Sequence, residues 1–201
     1  KHWKDKKNRL PLILMGARQV GKTWLMKEFG KQYFENVCYV NFENPGSIAD
    51  VFSGSIEPHR IIDFLSAYHG KKIRPESTLI IFDEVQELPR ALTSLKYFAE
   101  AAPEYAICCA GSLLGVTLHE GTSFPVGKVD FLTLEPLSFY EFLLANHEEP
   151  LLDWTKTYAS QPMPELFQER YMDYLKQYFI IGGMPSVVNT WLEERDYTLV
   201  R

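Results

Sequence analysis

The sequence predicts an α/β protein built on a largely parallel sheet, and three observations carry that prediction. Apolar strand-like runs alternate with helical stretches up to about residue 134. The first run, residues 10–15, leads into a glycine-bracketed loop and then a helix. The third, residues 78–82, ends abruptly in Asp83-Glu84, at the strand end where open α/β sheets bind ligands.

Residues 10–15 (LPLILM) are unbroken in apolar character, as expected of a strand buried on both faces. The helix after the loop carries Leu25, Met26 and Phe29 and is expected to close at Gly30. β-Branched and aromatic residues mark 37–42 as the second strand, and Asn44-Pro45-Gly46-Ser47 as a loop. Glu57-Pro58 opens a helix with Ile61, Ile62, Leu65 and Tyr68 on one face, closed by Gly70. After the third strand, Pro89 starts a helix with Leu92, Leu95, Phe98, Ala99 and Ala102 at helical spacing. Residues 105–110 read as the fourth strand, 115–127 as irregular and 129–134 as the fifth strand. Ser138 and Glu141 then form a capping box, with Leu137 and Phe142 as its hydrophobic staple. Residues 166–180 are amphipathic, and Gly182-Gly183-Met184-Pro185 breaks the pattern before a last segment at 187–192.

The chemistry is concentrated at two strand ends. Residues 16–23 read Gly-Ala-Arg-Gln-Val-Gly-Lys-Thr, the G-x-x-x-x-G-K-T spacing of a phosphate-binding loop in its strand–helix context. Glycines let the backbone curl so that consecutive N–H groups and the helix N-terminus converge on a polyphosphate. Gly16, Ala17, Arg18, Gln19, Val20, Gly21, Lys22, Thr23 and Trp24 are therefore the candidate nucleotide-binding residues. Lys22 is expected to reach the β- and γ-phosphates and to serve catalysis as well as binding, while the Thr23 hydroxyl ligates Mg2+. Asp83 is the second candidate metal residue, as a Walker B acid, and Glu84 the candidate group that polarises an attacking water. A solvated acid pair at a helix start is the bland alternative, and the loop weighs against it.

In P-loop ATPases with such an adjacent glutamate, an extra strand lies between the loop strand and the acid-bearing strand. The expectation is thus a P-loop NTPase: five mainly parallel strands in the order 5-1-4-3-2, helices on both faces, and a small helical region after them. The extra strand's tip carries a polar residue that hydrogen-bonds the γ-phosphate or the water. Ser112 fits that catalytic place by position, and fits a plain turn serine equally well. Arg74, Arg90 and Lys128 are candidates for charge compensation at a neighbouring subunit's γ-phosphate, should the chain form an oligomer, against their reading as surface residues.

With 201 residues the chain can hold one α/β domain with a full core and a small appendage. No apolar run approaches the length of a membrane span and no secretory signal precedes the first strand, so no membrane partner is expected. Three cysteines, two of them adjacent in an apolar run, fit a reducing cytoplasm better than a disulfide framework. The net charge of −5 argues against a broadly basic nucleic-acid surface. The exception is residues 1–9, where lysines and Arg9 surround Trp3: a solvated tail, or a segment lying against the nucleotide or a partner. The histidines are scattered, without metal-ligand spacing.

The motifs at 16–23, 82–86 (FDEVQ), 110–112 (AGS), 134–143 (LEPLSFYEFL) and 182–185 (GGMP) resemble those of the prokaryotic AAA-superfamily ATP-binding proteins that carry a C-terminal domain of unknown function. These are in turn similar to the origin-recognition and archaeal-ATPase branch of AAA+ proteins. The resemblance spans essentially the whole chain, and the PLSFxEF block is its more specific part. It implies ATP as the nucleotide with Mg2+ as cofactor, and hydrolysis to ADP and phosphate; the lack of a guanine-type Asn-Lys-x-Asp motif agrees. Where the family has Gly-Arg before the fifth strand this chain has Gly127-Lys128, which keeps the charge and loses the planar fork. A further C-terminal domain would lie beyond Arg201 and reach a DNA or protein partner. Starting at Lys1 and stopping in a helical-looking stretch, the chain reads as a fragment of a longer protein.

The resulting expectation is a P-loop ATPase core at 1–136 and a helical lid or linker at 137–201, cytoplasmic, with hydrolysis driving a conformational switch. Two other readings stand beside it: a nucleotide-gated binding module with negligible hydrolysis, and a P-loop kinase. For the kinase, neither a lid nor an acceptor pocket is identifiable.

Overall fold

The computed structural model describes residues 2–111, 125 and 127–199; Ser112 and the stretch 115–124 lie outside them. In chain order the elements begin β1 (Leu12–Met15), α1 (Lys22–Tyr33), β2 (Asn36–Asn41), α2 (Ile48–Ser53) and α3 (Pro58–His69). They continue with β3 (Thr78–Asp83), a 3-10 turn (Val85–Glu87), α4 (Pro89–Ala101), β4 (Ala106–Ala110) and β5 (Asp130–Thr133). Four helices follow: α5 (Phe139–Ala145), α6 (Glu149–Thr157), α7 (Glu165–Ile181) and α8 (Pro185–Glu194). By contacts the chain divides into two compact units, Lys1–Leu134 and Glu135–Arg201.

The first unit is a five-stranded sheet in the order β2-β3-β4-β1-β5, every pair parallel. Read from the other edge, this is the predicted order 5-1-4-3-2. The step from β1 to β2 crosses the sheet in one direction, and the steps β2 to β3 to β4 return in the other. Right-handed crossovers therefore put α1 on one face and α3 and α4 on the opposite one. The strands supply both cores by their two-residue alternation. Leu14, Leu79, Ile81, Cys108 and Ala110 pack with Met26 and Phe29 of α1. Ile13, Val40, Ile80, Phe82, Ile107 and Cys109 pack with Phe52, Ile61, Leu65, Leu92, Leu95 and Phe98. All three cysteines are buried thiols, and burial pushes Cys38 and Cys108 up to about 12, which leaves them inert.

Several local expectations need correction. Gly30 does not close α1, which runs on to Tyr33 and is capped by the Phe34 N–H on the Gly30 carbonyl. A Cβ at Gly30 would lie 2.5 Å from Val37 Cγ2 and 3.3 Å from Leu79 Cδ2, so glycine stands there for close helix–sheet approach. Residues 48–53 form a short helix with Ile48, Val51 and Phe52 buried, too brief for periodicity to signal. Tyr68 does not share the buried face of α3 but is 54% exposed. Gly70 closes that helix as expected, with φ of 65°.

Every regular element among the described residues of the second unit is a helix. Its α5 starts on the predicted capping box: Ser138 Oγ accepts from the Glu141 N–H, and the Glu141 carboxylate accepts from the Ser138 N–H at 2.7 Å. Leu137 packs in the same cluster as Phe142, Ile181, Val188 and Trp191. The Leu137 N–H donates to the Gly183 carbonyl at 2.7 Å, which ties the Gly-Gly-Met-Pro break to the start of the unit. Arg170 donates twice to the buried Glu148, at 2.6 and 3.1 Å.

Candidate functional site

The loop between β1 and α1 is shaped by three residues of positive φ: Gly16 (143°), Gln19 (62°) and Gly21 (96°). Left-handed backbone at these positions turns successive N–H groups toward one side of the loop. Gly21 also occupies the N-cap of α1 without a side-chain cap, so no side chain answers the first N–H groups of that helix. Val20 is buried and plugs the loop onto the core. Lys22 is only 6% exposed, and its ammonium donates to the Gly16 carbonyl at 2.9 Å and the Ala17 carbonyl at 2.6 Å. Burial lowers its pKa, against the pull of the Glu84 and Asp83 carboxylates, and Arg18 adds to the lowering.

Opposite the loop stands the end of β3, whose six residues are all buried. Asp83, its last residue, is 3% exposed and held by three donors. Oδ2 accepts from the Thr23 hydroxyl at 2.7 Å and from the Tyr39 hydroxyl at 2.9 Å, while Oδ1 accepts from the Glu84 N–H at 3.1 Å. Burial, followed by the Asp83 hydrogen bond and charge, raises the Tyr39 phenol well above its ordinary pKa. Glu84 itself has φ of 50°, and its Oε2 accepts from Gln86 Nε2 at 2.6 Å.

Arg18, Gln19, Gly21, Lys22, Thr23, Trp24, Glu43 and Glu84 line a single cavity of about 470 Å³ at the C-terminal ends of the strands. An apolar strand stopping at an acid and a loop whose ammonium and threonine face that acid meet in one place, as in nucleotide-binding open sheets. A family model described as an AAA domain matches residues 8–143. The chain belongs to the AAA domain family. Membership implies nucleotide binding of the P-loop kind. Among solved structures, the Walker-type ATPase PABY2304 of Pyrococcus abyssi is similar with a TM-score of 0.57 at 16% identity, over 98% of this chain and 67% of that one, a likeness of fold. Among curated proteins none matches the sequence.

Within this AAA domain the sequence-predicted residues are not all placed alike. Arg18, Gln19, Gly21, Lys22, Thr23, Trp24 and Glu84 share the cavity; Asp83 lies behind Thr23; Gly16, Ala17 and Val20 build the loop without lining the cavity. Ser112 lies outside the described residues. Arg90 is tied to the Phe52 and Gly54 carbonyls, and Lys128 pairs with Glu100 at 3.1 Å. Arg74 precedes β3, at the strand end away from the loop. The basic segment 2–9 is also at that far end, with Lys6 on Asp130 at 2.9 Å, Arg9 on the Glu104 carbonyl, and Lys4 on the Tyr33 carbonyl. Lys4, Lys6 and Arg9 thus have partners within the domain, and none of them lines the cavity.

Two residues of the site escaped sequence reasoning: Glu43, which lines the cavity, and Tyr39, which bonds Asp83. Glu43 follows the end of β2, and an acid at a strand's C-terminal end was the available signal. Tyr39 had no signal beyond strand parity. Among the described residues no helix is long and apolar enough to cross a membrane.

Proposed function

We propose that this AAA domain binds ATP with Mg2+ in the cavity between residues 16–23 and the end of β3, and hydrolyses it to ADP and phosphate. The hydrogen bond from Thr23 to Asp83 carries the proposal. A hydroxyl that gives its proton to a carboxylate turns its oxygen lone pairs to other partners, as a metal-ligating hydroxyl must. Thr23 and Asp83 are hard oxygen donors, and Mg2+ takes one or two from a protein and the rest from phosphates and water. When bound, Mg2+ neutralises charge on the β- and γ-phosphates.

The remaining roles fall to the chain itself. Lys22 leaves the Gly16 and Ala17 carbonyls for the phosphate oxygens, a stronger charge-assisted pairing. The loop N–H groups and the N-terminus of α1 bind the other oxygens. Glu84 orients water and accepts its proton. We take 1–136 as the ATPase core and 137–201 as the lid or linker that responds to turnover in a cytoplasmic protein.

One contact favours a second reading, a nucleotide-gated module with negligible hydrolysis: Gln86 already occupies Glu84 Oε2. Phosphate release and Mg-ATP affinity, measured on the parent and on Glu84→Gln, separate the two. Hydrolysis by the parent should fall by about a hundredfold or more in the variant, the usual size of a general-base contribution. Affinity should hold or rise, since a like charge near the γ-phosphate is removed. A parent that binds without releasing phosphate supports the second reading, and a variant that hydrolyses like the parent removes Glu84 from the mechanism.

A further inference from the structure

Three elements converge on Asp83, and only two of them belong to the nucleotide motifs. The third is β2. Its parallel register with β3 pairs Tyr39 with Ile81 and Asn41 with Asp83, so Tyr39 lies on the same sheet face as Asp83, one diagonal step before it. A tyrosine is long enough to cover that step, and its hydroxyl reaches Asp83 Oδ2 at 2.9 Å. On α1, Thr23 and Lys27 stand four residues apart and therefore on one helix face. Thr23 bonds Asp83, while the Lys27 ammonium lies 3.6 Å from the centroid of the Tyr39 ring. One turn of helix thus holds both the carboxylate and the residue that holds the carboxylate.

A carboxylate offers about four lone-pair positions. Thr23 and Tyr39 fill both on Oδ2, and the Glu84 N–H fills one on Oδ1. One position on Oδ1 is left, and the plane of the group is fixed by donors from three elements. We propose that Tyr39 is a positioning residue for the metal end of the site: it fixes the direction from which Asp83 addresses Mg2+ or a water bound to it, and Lys27 fixes Tyr39. This role rests on the Mg-ATP reading of the cavity and adds to it a determinant outside the loop and the strand-end acids.

The test is a Mg2+ titration of ATP binding, followed by calorimetry, on the parent, Tyr39→Phe, Lys27→Met and Asp83→Asn, with ATP in excess EDTA as the metal-free arm. Tyr39→Phe keeps the ring and its packing and deletes one hydrogen bond to a charged group. It should raise the Mg2+ concentration for half-maximal binding about tenfold, the lower end for such bonds. ATP binding in EDTA should match the parent, while the thermal midpoint falls by the few degrees that a lost bond to a buried carboxylate costs. Lys27→Met should shift the Mg2+ requirement the same way by a few-fold, as expected for a lost cation–π contact. An unchanged Mg2+ requirement in Tyr39→Phe overturns the proposal, as does an equal loss of affinity with and without Mg2+, which marks packing alone. If Asp83→Asn weakens Mg-ATP binding while Tyr39→Phe does not, only Tyr39 loses its role. If parent and Asp83→Asn bind ATP alike at every Mg2+ concentration, the metal reading of the cavity falls, and this proposal with it.

Discussion

Gly16→Ala tests whether the loop is shaped by the fold that carries it. At φ of 143° Gly16 occupies backbone space that a residue with a Cβ rarely enters, and holding one there costs about 1–3 kcal/mol. The added Cβ would also sit 2.1 Å from the Leu134 carbonyl oxygen and 3.3 Å from Val20 Cγ1. The obstacle is backbone, and it is fixed: the Leu134 N–H donates to the Met15 carbonyl at 2.8 Å, and Met15 pairs with Thr133 in the ladder. Relieving the overlap means parting the ends of β1 and β5, an overpacking cost of about 1–3 kcal/mol more. The sum, roughly 2–6 kcal/mol, is a large share of the 5–15 kcal/mol that folded domains typically have. For a chain of this size it corresponds to a fall in melting temperature of roughly 5–20 °C. Gly21→Ala is the control, since φ there is 96° but nothing lies within 4 Å of the added Cβ. It should suffer the backbone strain alone, about 1–3 kcal/mol, and melt above Gly16→Ala. Thermal unfolding by circular dichroism, with Mg-ATP titration on the folded variants, reads both. If Gly16→Ala melts with the parent, or no lower than Gly21→Ala, the contact with Leu134 does not shape the loop.

Two further outcomes are expected. Lys22→Ala removes an ammonium whose protein partners are two loop carbonyls that water can serve instead, so stability should change by only about 1 kcal/mol. Loss of its charged bonds to phosphate should lower ATP affinity by about a hundredfold or more, and calorimetry showing near-parent affinity in the folded variant would remove the loop from nucleotide binding. At α3, the Arg60 and His59 N–H groups hold the Glu57 carboxyl below its ordinary pKa. A lowered folded-state pKa contributes stability that is present above the ordinary glutamate range, about 4.3, and lost as pH falls through the folded value. Urea midpoints of parent and Glu57→Ala should therefore differ at neutral pH and converge in acid; a gap independent of pH would mean that the carboxylate does not cap α3.

The parts of this fold legible in the sequence were those written in local chemistry. The residue run 78–82 ending in Asp83-Glu84 declared both a buried strand and the end of the sheet that carries the site, because burial and charge change at one peptide bond. Ser138 and Glu141 declared the start of α5 because both partners of a capping box lie within four residues. What stayed hidden depends on contacts across the fold. Gly30 looks the same whether it ends a helix or lets one approach a sheet, and only Val37 and Leu79 decide between the two. An aromatic residue in a strand reads as a β-former, so Tyr39 gave no hint of its hydroxyl's partner on the next strand. Residues 48–53 are shorter than two helical turns, and their buried triplet cannot be told from an irregular apolar run.

These same long-range contacts give the loop a mechanical neighbour. An added Cβ at Gly16 would lie 2.1 Å from the carbonyl oxygen of Leu134, so the loop runs close beside the end of β5. The Lys22 ammonium is bonded to the carbonyls of Gly16 and Ala17, and it is the group a γ-phosphate would draw away. A change in where Lys22 points would release both carbonyls, and Gly16 has no room for a side chain on the side of Leu134. Interiors packed this closely respond by shifting between discrete arrangements and not by yielding gradually. The place where the loop meets the rest of the sheet is thus the end of β5, and Gly16 is the loop residue that a side chain would drive into it.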